Sequence, residues 1–355
     1  MNLKKKLSSG LGQLLIPLIA LAILLLFNLF RDPGFFSIRV AVNNAGNRVL
    51  TGNLITIIDL ASELAIIAMG MTLVTAACGG QDISVGAVGA ISGAVFVKMV
   101  QNLGGLNAGT FVLALLLAIL VTICFKMFNG TLVAVFKIQP MIATLILYSC
   151  GRSIAYWING DATPQLTSPI LTAIGMTIPG IPVPTPIFLV LTVGILLALV
   201  FKFTNISLYT QSVGINQGAA RLNGINPIAI KLLSFALLGV CVSVASLIGI
   251  SRLGQLNHKT LLVDIEMDAI LAVAIGGNSL GGGKFKLSGS ILGAYIIQML
   301  TTTLYAMKVS PENVKAYKAI VIIIIVVAGS PVVKEKLTAL WKRLRSGAAA
   351  RKEAA

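Results

Sequence analysis

Residues 108–125 read AGTFVLALLLAILVTICF, eighteen positions without a charge before Lys126 interrupts them. As a helix that stretch is about 27 Å long, close to the ~30 Å hydrocarbon core of a bilayer. It has no polar face, so it suits a wholly apolar surrounding rather than a soluble surface. Similar blocks recur along the chain, and the candidate spans are 11–30, 54–77, 83–100, 108–127, 140–158, 186–204, 227–250, 266–283, 287–306 and 314–330. The expected fold is therefore all-α: a polytopic membrane protein of about ten transmembrane helices. Two spans, 54–77 and 266–283, end in glycine clusters, which predicts broken or re-entrant segments there. Broken backbone is tolerated at membrane depth only where protein or water satisfies its polar groups.

Composition agrees. Of the 355 residues 57% are hydrophobic and 11% charged, against about 25% charged in a soluble domain. The net charge of +16 invites a nucleic-acid reading, but the basic residues sit at the ends of apolar blocks, where membrane orientation places them. Cys78, Cys124, Cys150 and Cys241 all lie in apolar stretches, without the pairing of a disulfide framework or a zinc site. His258 is the only histidine, so the residues point to no metal site. Lys4, Lys5 and Lys6 precede the first apolar run as in a signal peptide. That run is longer than a typical signal core and ends at Phe27–Pro33 without a small-residue cleavage site, so it reads as a retained span.

Charge sets the expected sidedness. Lys4–Lys6 mark residues 1–10 as a cytoplasmic N-terminus, and Lys334, Lys336, Lys342, Arg343, Arg345, Arg351 and Lys352 make 334–355 a basic cytoplasmic tail. Two cytoplasmic ends require an even number of spans within the transmembrane domain at 11–333. Threading ten spans places Lys126, Lys137, Lys202, Arg221, Lys231, Lys284 and Lys286 inside as well, and the proline-rich segment 160–186 outside. No connection is long enough for a soluble domain of ~50 residues, so any chemistry on ATP belongs to another chain. An internal echo joins Gly79-Gly80-Gln81-Asp82 to Gly276-Gly277-Asn278-Ser279, each a glycine turn between an apolar run and a small-residue helix. Duplicated halves of this kind are common in transporters.

The second glycine cluster is not a nucleotide loop. Asn278 to Phe285 lacks the first glycine of the Walker A pattern and the hydroxyl after Lys284 that would hold magnesium. Asp59 and Glu63 are four apart on one helix face. Carboxylates inside a membrane face a cavity or a partner, so they either line a solute path or pair with Arg48 or Arg152. Asp82, after two glycines, either caps the next helix or touches the solute. Asn278 and Ser279, its counterparts in the second turn, are candidates for the same path. Between the sixth and seventh spans, within 205–226, Ala219, Ala220 and Arg221, after Gly218, can form a short helix that Gly224 ends. Small residues there suit docking onto a partner, the alternative being an ordinary interspan loop.

That loop, GINQGAARLNGI at 214–225, resembles the GxNxxAARLSGI coupling run of the ribose and galactose permease family of ABC importers. GMTLVTAACGGQDISVGAVGAISG at 70–93, NGTLVAVFKIQPMIATLILYSCGR at 129–152 and DAILAVAIGGNSLGGGKFKLSGSILGA at 268–294 resemble further runs of that family in the same order, with wording closest to the galactofuranose-type branch. The chain departs from the pattern at Gln81, at Cys78 and at Gly218, which replaces the acidic residue of the coupling loop. The resemblance implies a permease subunit in the bacterial cytoplasmic membrane that moves a monosaccharide inward and does no covalent chemistry. It implies a cytoplasmic ATPase that binds the ATP, an extracytoplasmic sugar-binding protein and a second permease subunit, identical or related. The permease itself then needs no cofactor.

Two other classes fit the residues. An ion-coupled secondary transporter would need an intramembrane relay, and Asp59 and Glu63 offer one. A membrane-embedded transferase would need paired carboxylates holding magnesium, and Asp264, Glu266 and Asp268 are the nearest set.

Overall fold

The computed structural model describes residues 3–42, 48–160, 163–166 and 168–329. The basic tail expected at 334–355 lies outside these, as do Asp161 and the side chains of Lys4–Lys6. Helix α1 (Leu3–Arg31) leads into a hairpin of strands β1 (Arg39–Val42) and β2 (Arg48–Thr51), antiparallel with Arg39 opposite Thr51. Then follow α2 (Asn53–Cys78), α3 (Val85–Asn102), α4 (Ala108–Ala134), α5 (Pro140–Asn159), α6 (Pro169–Gly175) and α7 (Thr185–Phe203). The rest are α8 (Ile206–Ile215), α9 (Gln217–Leu222), α10 (Pro227–Leu253), α11 (Ile265–Ile275), α12 (Leu287–Ala306) and α13 (Pro311–Gly329). The hairpin is a departure from the expected all-α chain. Its Leu50 N–H donates to Pro182 O at 2.8 Å, which ties it to the proline-rich connection.

Among the described residues, seven helices are long and apolar enough to cross a membrane: α2, α3, α4, α5, α7, α10 and α12. The protein is therefore a multi-pass membrane protein. The other three expected spans differ. In α1 the apolar stretch runs Pro17–Arg31, and α13 is a 19-residue helix carrying Glu312, Lys315 and Lys318 near its start. The span expected at 266–283 does not hold as one helix. Helix α11 has 11 residues, about 16 Å and half a bilayer. The glycines from Gly276 end it, and a turn leads into α12.

The missing half of that span is irregular chain. After α10 ends at Gly254, residues 255–264 fold back into the bundle. Leu261 packs against Gly93 and Gly249, and Leu262 against Gly89, with the glycines making room for them. Arg152 donates to the carbonyls of His258 at 2.7 Å, Leu261 at 3.1 Å and Leu262 at 3.5 Å. This is the internal satisfaction that non-helical backbone needs at membrane depth.

Helices α2, α3, α10 and α12 are the buried centre, whereas α4, α5 and α7 keep most of their apolar surface outward. Small residues let the central helices touch. A Cβ on Gly70 would lie 3.1 Å from Cys241 Cβ, and one on Gly276 would meet the Gly289 backbone at 2.3 Å. Lipid offers no hydrophobic drive between helices, so such close packing is what holds them. Helix α1 is pinned by buried Asn28, which donates to Thr303 Oγ1 of α12 at 2.8 Å. The bundle has a hairpin end, with β1, β2, α6 and the start of α2. Its opposite end carries α8 and α9.

Candidate functional site

At the hairpin end a cavity of about 340 Å³ opens between α2, α10, the 255–264 segment, α11 and α12. Its polar wall is Glu63, Arg252, Thr260, Asp268 and Gln298. Helix α2 sets Asp59 and Glu63 on one face, and α10 carries Arg252 across from them. Arg252 donates to Glu63 Oε1 at 2.6 Å and to Asp59 Oδ1 at 3.2 Å. A guanidinium fork suits two carboxylates in this way. Their partner is thus Arg252, not Arg48 or Arg152 as the sequence suggested. Of the two acids only Glu63 reaches the cavity wall. Asp268 is held by Lys318 at 2.7 Å.

Asp82 lies elsewhere. It is fully buried, and its Oδ2 accepts from Lys126 Nζ at 2.8 Å, with neither side chain exposed. Its Oδ1 accepts from the N–H and the hydroxyl of Ser84, each at 2.7 Å. Lys126 and Asn129 of α4 also donate to Ser84 Oγ, at 2.9 and 3.0 Å. Ser84 rather than Asp82 is the N-cap of α3, so Asp82 shapes the turn before the helix. Lys126, threaded as an inside surface charge, is in the protein interior. Asn278 is likewise structural in its contacts. Its amide donates to Lys286 O and Ser290 Oγ and accepts from Lys286 N–H, fixing the turn between α11 and α12. Ser279 is half-buried in that turn.

The opposite end brings three segments together. Gly214 of α8 sits so close to α2 that a Cβ there would meet Ala76 O at 1.8 Å and Gly283 N at 2.7 Å. Gly283 N–H donates to Ala76 O at 3.0 Å, and Gln81 Nε2 donates to Leu280 O at 2.9 Å. The two glycine turns of the internal echo therefore touch each other and α8 at one junction. Helix α9 follows, capped by Asn216, whose side chain accepts from Ala219 N–H. Gly224 ends it at φ +78° with open space around it. Gly218, Ala219, Arg221 and Leu222 are exposed, Leu222 to 92%, whereas Ala220 is turned inward at 3%. Phe203 and Ile215 add exposed apolar surface beside them.

Sequence reasoning missed Arg252, Thr260, Gln298 and Lys318. Arg252 ends an apolar span and so passes for an interface arginine. Nothing in the neighbourhood of Gln298 marks it as a wall residue. The acidic set Asp264, Glu266 and Asp268 is dispersed: Asp264 pairs with Lys315, Asp268 with Lys318, and Glu266 is buried. Among the described residues no three of His, Cys, Asp and Glu are gathered as metal ligands.

Residues 53–328 match the family model described as branched-chain amino acid transport system / permease component. The chain is 36% identical to the galactofuranose transporter permease protein YtfT of Escherichia coli over 93% of its length and 92% of the relative's. It is 36% identical to the fructose import permease protein FruF of Bifidobacterium longum, over 97% and 94% of the two chains. The ribose import permease protein RbsC of Haemophilus influenzae is 34% identical over 90% and 94%. No solved structure matches.

Proposed function

The chain belongs to the family of branched-chain amino acid transport system permease components, and from that premise we propose that it is the membrane-spanning subunit of an ABC importer that admits a monosaccharide. The observation that carries this is the full-length similarity to permeases named for galactofuranose, fructose and ribose. The matched region takes in every helix of the cavity and of the α8 junction.

In this reading the α9 end faces the cytoplasm and the hairpin end faces outward. An ATPase subunit docks on α9 through Gly218, Ala219, Arg221 and Leu222, and Arg221 reaches a carboxylate on it. ATP is bound and hydrolysed there, and this chain forms no covalent intermediate. Motion of α9 passes through Gly214 to the end of α2 and to the 279–283 turn. Those segments continue into α2, α11 and α12, three of the walls of the distant cavity. The junction thus supports a direct mechanical route from docking helix to solute path. A binding protein delivers the sugar at the hairpin end, and a second permease copy or a close relative completes the path.

The test is reconstitution with an ATPase subunit and a sugar-binding protein of this importer class. ATP inside the vesicle equivalent of the cytoplasm should drive uptake of a radiolabelled sugar. Uptake driven by a proton gradient without ATP would instead support the relay through Asp59 and Glu63.

A further inference from the structure

The cavity at the hairpin end is polar but offers no free positive charge. Arg252 is shared by Glu63 and Asp59, and Asp268 is held by Lys318, so the basic residue of the wall is already engaged by two carboxylates. An anionic solute therefore finds no free positive group to bind. Neutral hydrogen-bonding capacity is left over. Gln298 is half-buried on the wall, and its amide makes no hydrogen bond within the described chain. The Thr260 hydroxyl stands exposed at the rim. The paired groups retain capacity too, since a carboxylate offers about four acceptor positions and a guanidinium five donors. Apolar side chains such as Leu60 and Leu64 supply the flat surfaces between. The volume of about 340 Å³ is at the low end of small-molecule sites, which span ~300–1,000 Å³.

We propose that this cavity is a recognition site, carried by the permease itself, for a single neutral polyhydroxylated ring, with Gln298 and Thr260 binding hydroxyls and the Arg252–Glu63 pair forming the charged wall. It rests on the importer reading above and adds to it a second selection step after the binding protein. Sugar phosphates are refused because their charge would have to displace Glu63 from Arg252 or remain unpaired beside Asp268. Oligosaccharides are refused by size.

The experiment places a cysteine at Val263, an exposed wall position, in a chain with Cys78, Cys124, Cys150 and Cys241 changed to alanine. The labelling rate by an impermeant thiol reagent is read in membranes holding the permease–ATPase complex without binding protein. D-ribose and D-galactose are the neutral probes and D-ribose 5-phosphate the anionic one. The neutral sugars should slow labelling several-fold, and the phosphate should not. Gln298→Leu should raise the protecting concentration about fivefold to tenfold, the scale of one lost hydrogen bond. Gln298→Glu, isosteric with the native side chain, should weaken protection without a packing change. Equal protection by the phosphate, or none by either sugar in a complex that takes up sugar once ATP and binding protein are supplied, overturns the site and leaves the importer reading standing. Protection by neutral sugars in a complex that shows no ATP-driven uptake keeps the site and overturns the importer reading.

Discussion

Asp82 and Lys126 show how a single residue's environment decides its role. From the sequence Asp82 is a capping or solute-binding acid and Lys126 an inside charge. Three-dimensional contact makes them one buried pair with Ser84 and Asn129 around it. Removing one partner of such a pair leaves the other charged and unpaired, at about 3–5 kcal/mol. Asp82→Asn should therefore lower the thermal stability of the detergent-purified protein markedly, and Asp82→Asn with Lys126→Met should recover part of it. Size-exclusion chromatography after a heating series reads both, and a fully stable single variant would contradict the structural role. Gly224 is the reverse case, a residue whose role was legible. Its φ of +78° is open to solvent, so a β-branched side chain meets backbone strain of ~1–3 kcal/mol and nothing else. Gly224→Val should reduce sugar-stimulated ATP hydrolysis, while Gly224→Asn, which tolerates this conformation, should largely preserve it.

At the scale of elements, the long spans were legible because an unbroken apolar run has few other readings. The half-helix α11 was only partly so. Residues 255–264 look like an ordinary connection, and their burial depends on glycines in α3 and α10 and on Arg152, all distant in sequence. Arg152→Lys keeps the charge but loses the fork that reaches three carbonyls. It should lower both folded yield and uptake, as read by fluorescence of a tagged chain and by vesicle transport. Helix α9 was found by its small residues, yet which of them faces a partner was not legible, because a six-residue helix shows no clear period. The structure turns Ala220 inward. Ala219→Trp should therefore prevent co-purification of the ATPase with normal membrane yield, whereas Ala220→Trp should reduce the yield itself. The opposite pattern would mean that α9 presents its other face.

In the whole molecule, the docking helix and the cavity sit at two ends of one bundle. The junction at Gly214 and the cavity at Glu63 are connected by α2 and by the α11–α12 pair, the elements that carry the proposed coupling. Sidedness is the first requirement. A cysteine at Thr163 should react with an impermeant reagent on intact cells, and one at Gly224 only after the membrane is opened; reversed labelling would put the docking helix on the wrong side. Coupling through α9 is read by ATP-driven sugar uptake into vesicles holding the complete complex, comparing the native chain with Ala219→Trp. Uptake should require ATP and binding protein in the native complex and be lost in the variant, with the variant permease still inserted. Undiminished ATP-driven uptake by Ala219→Trp would contradict that coupling.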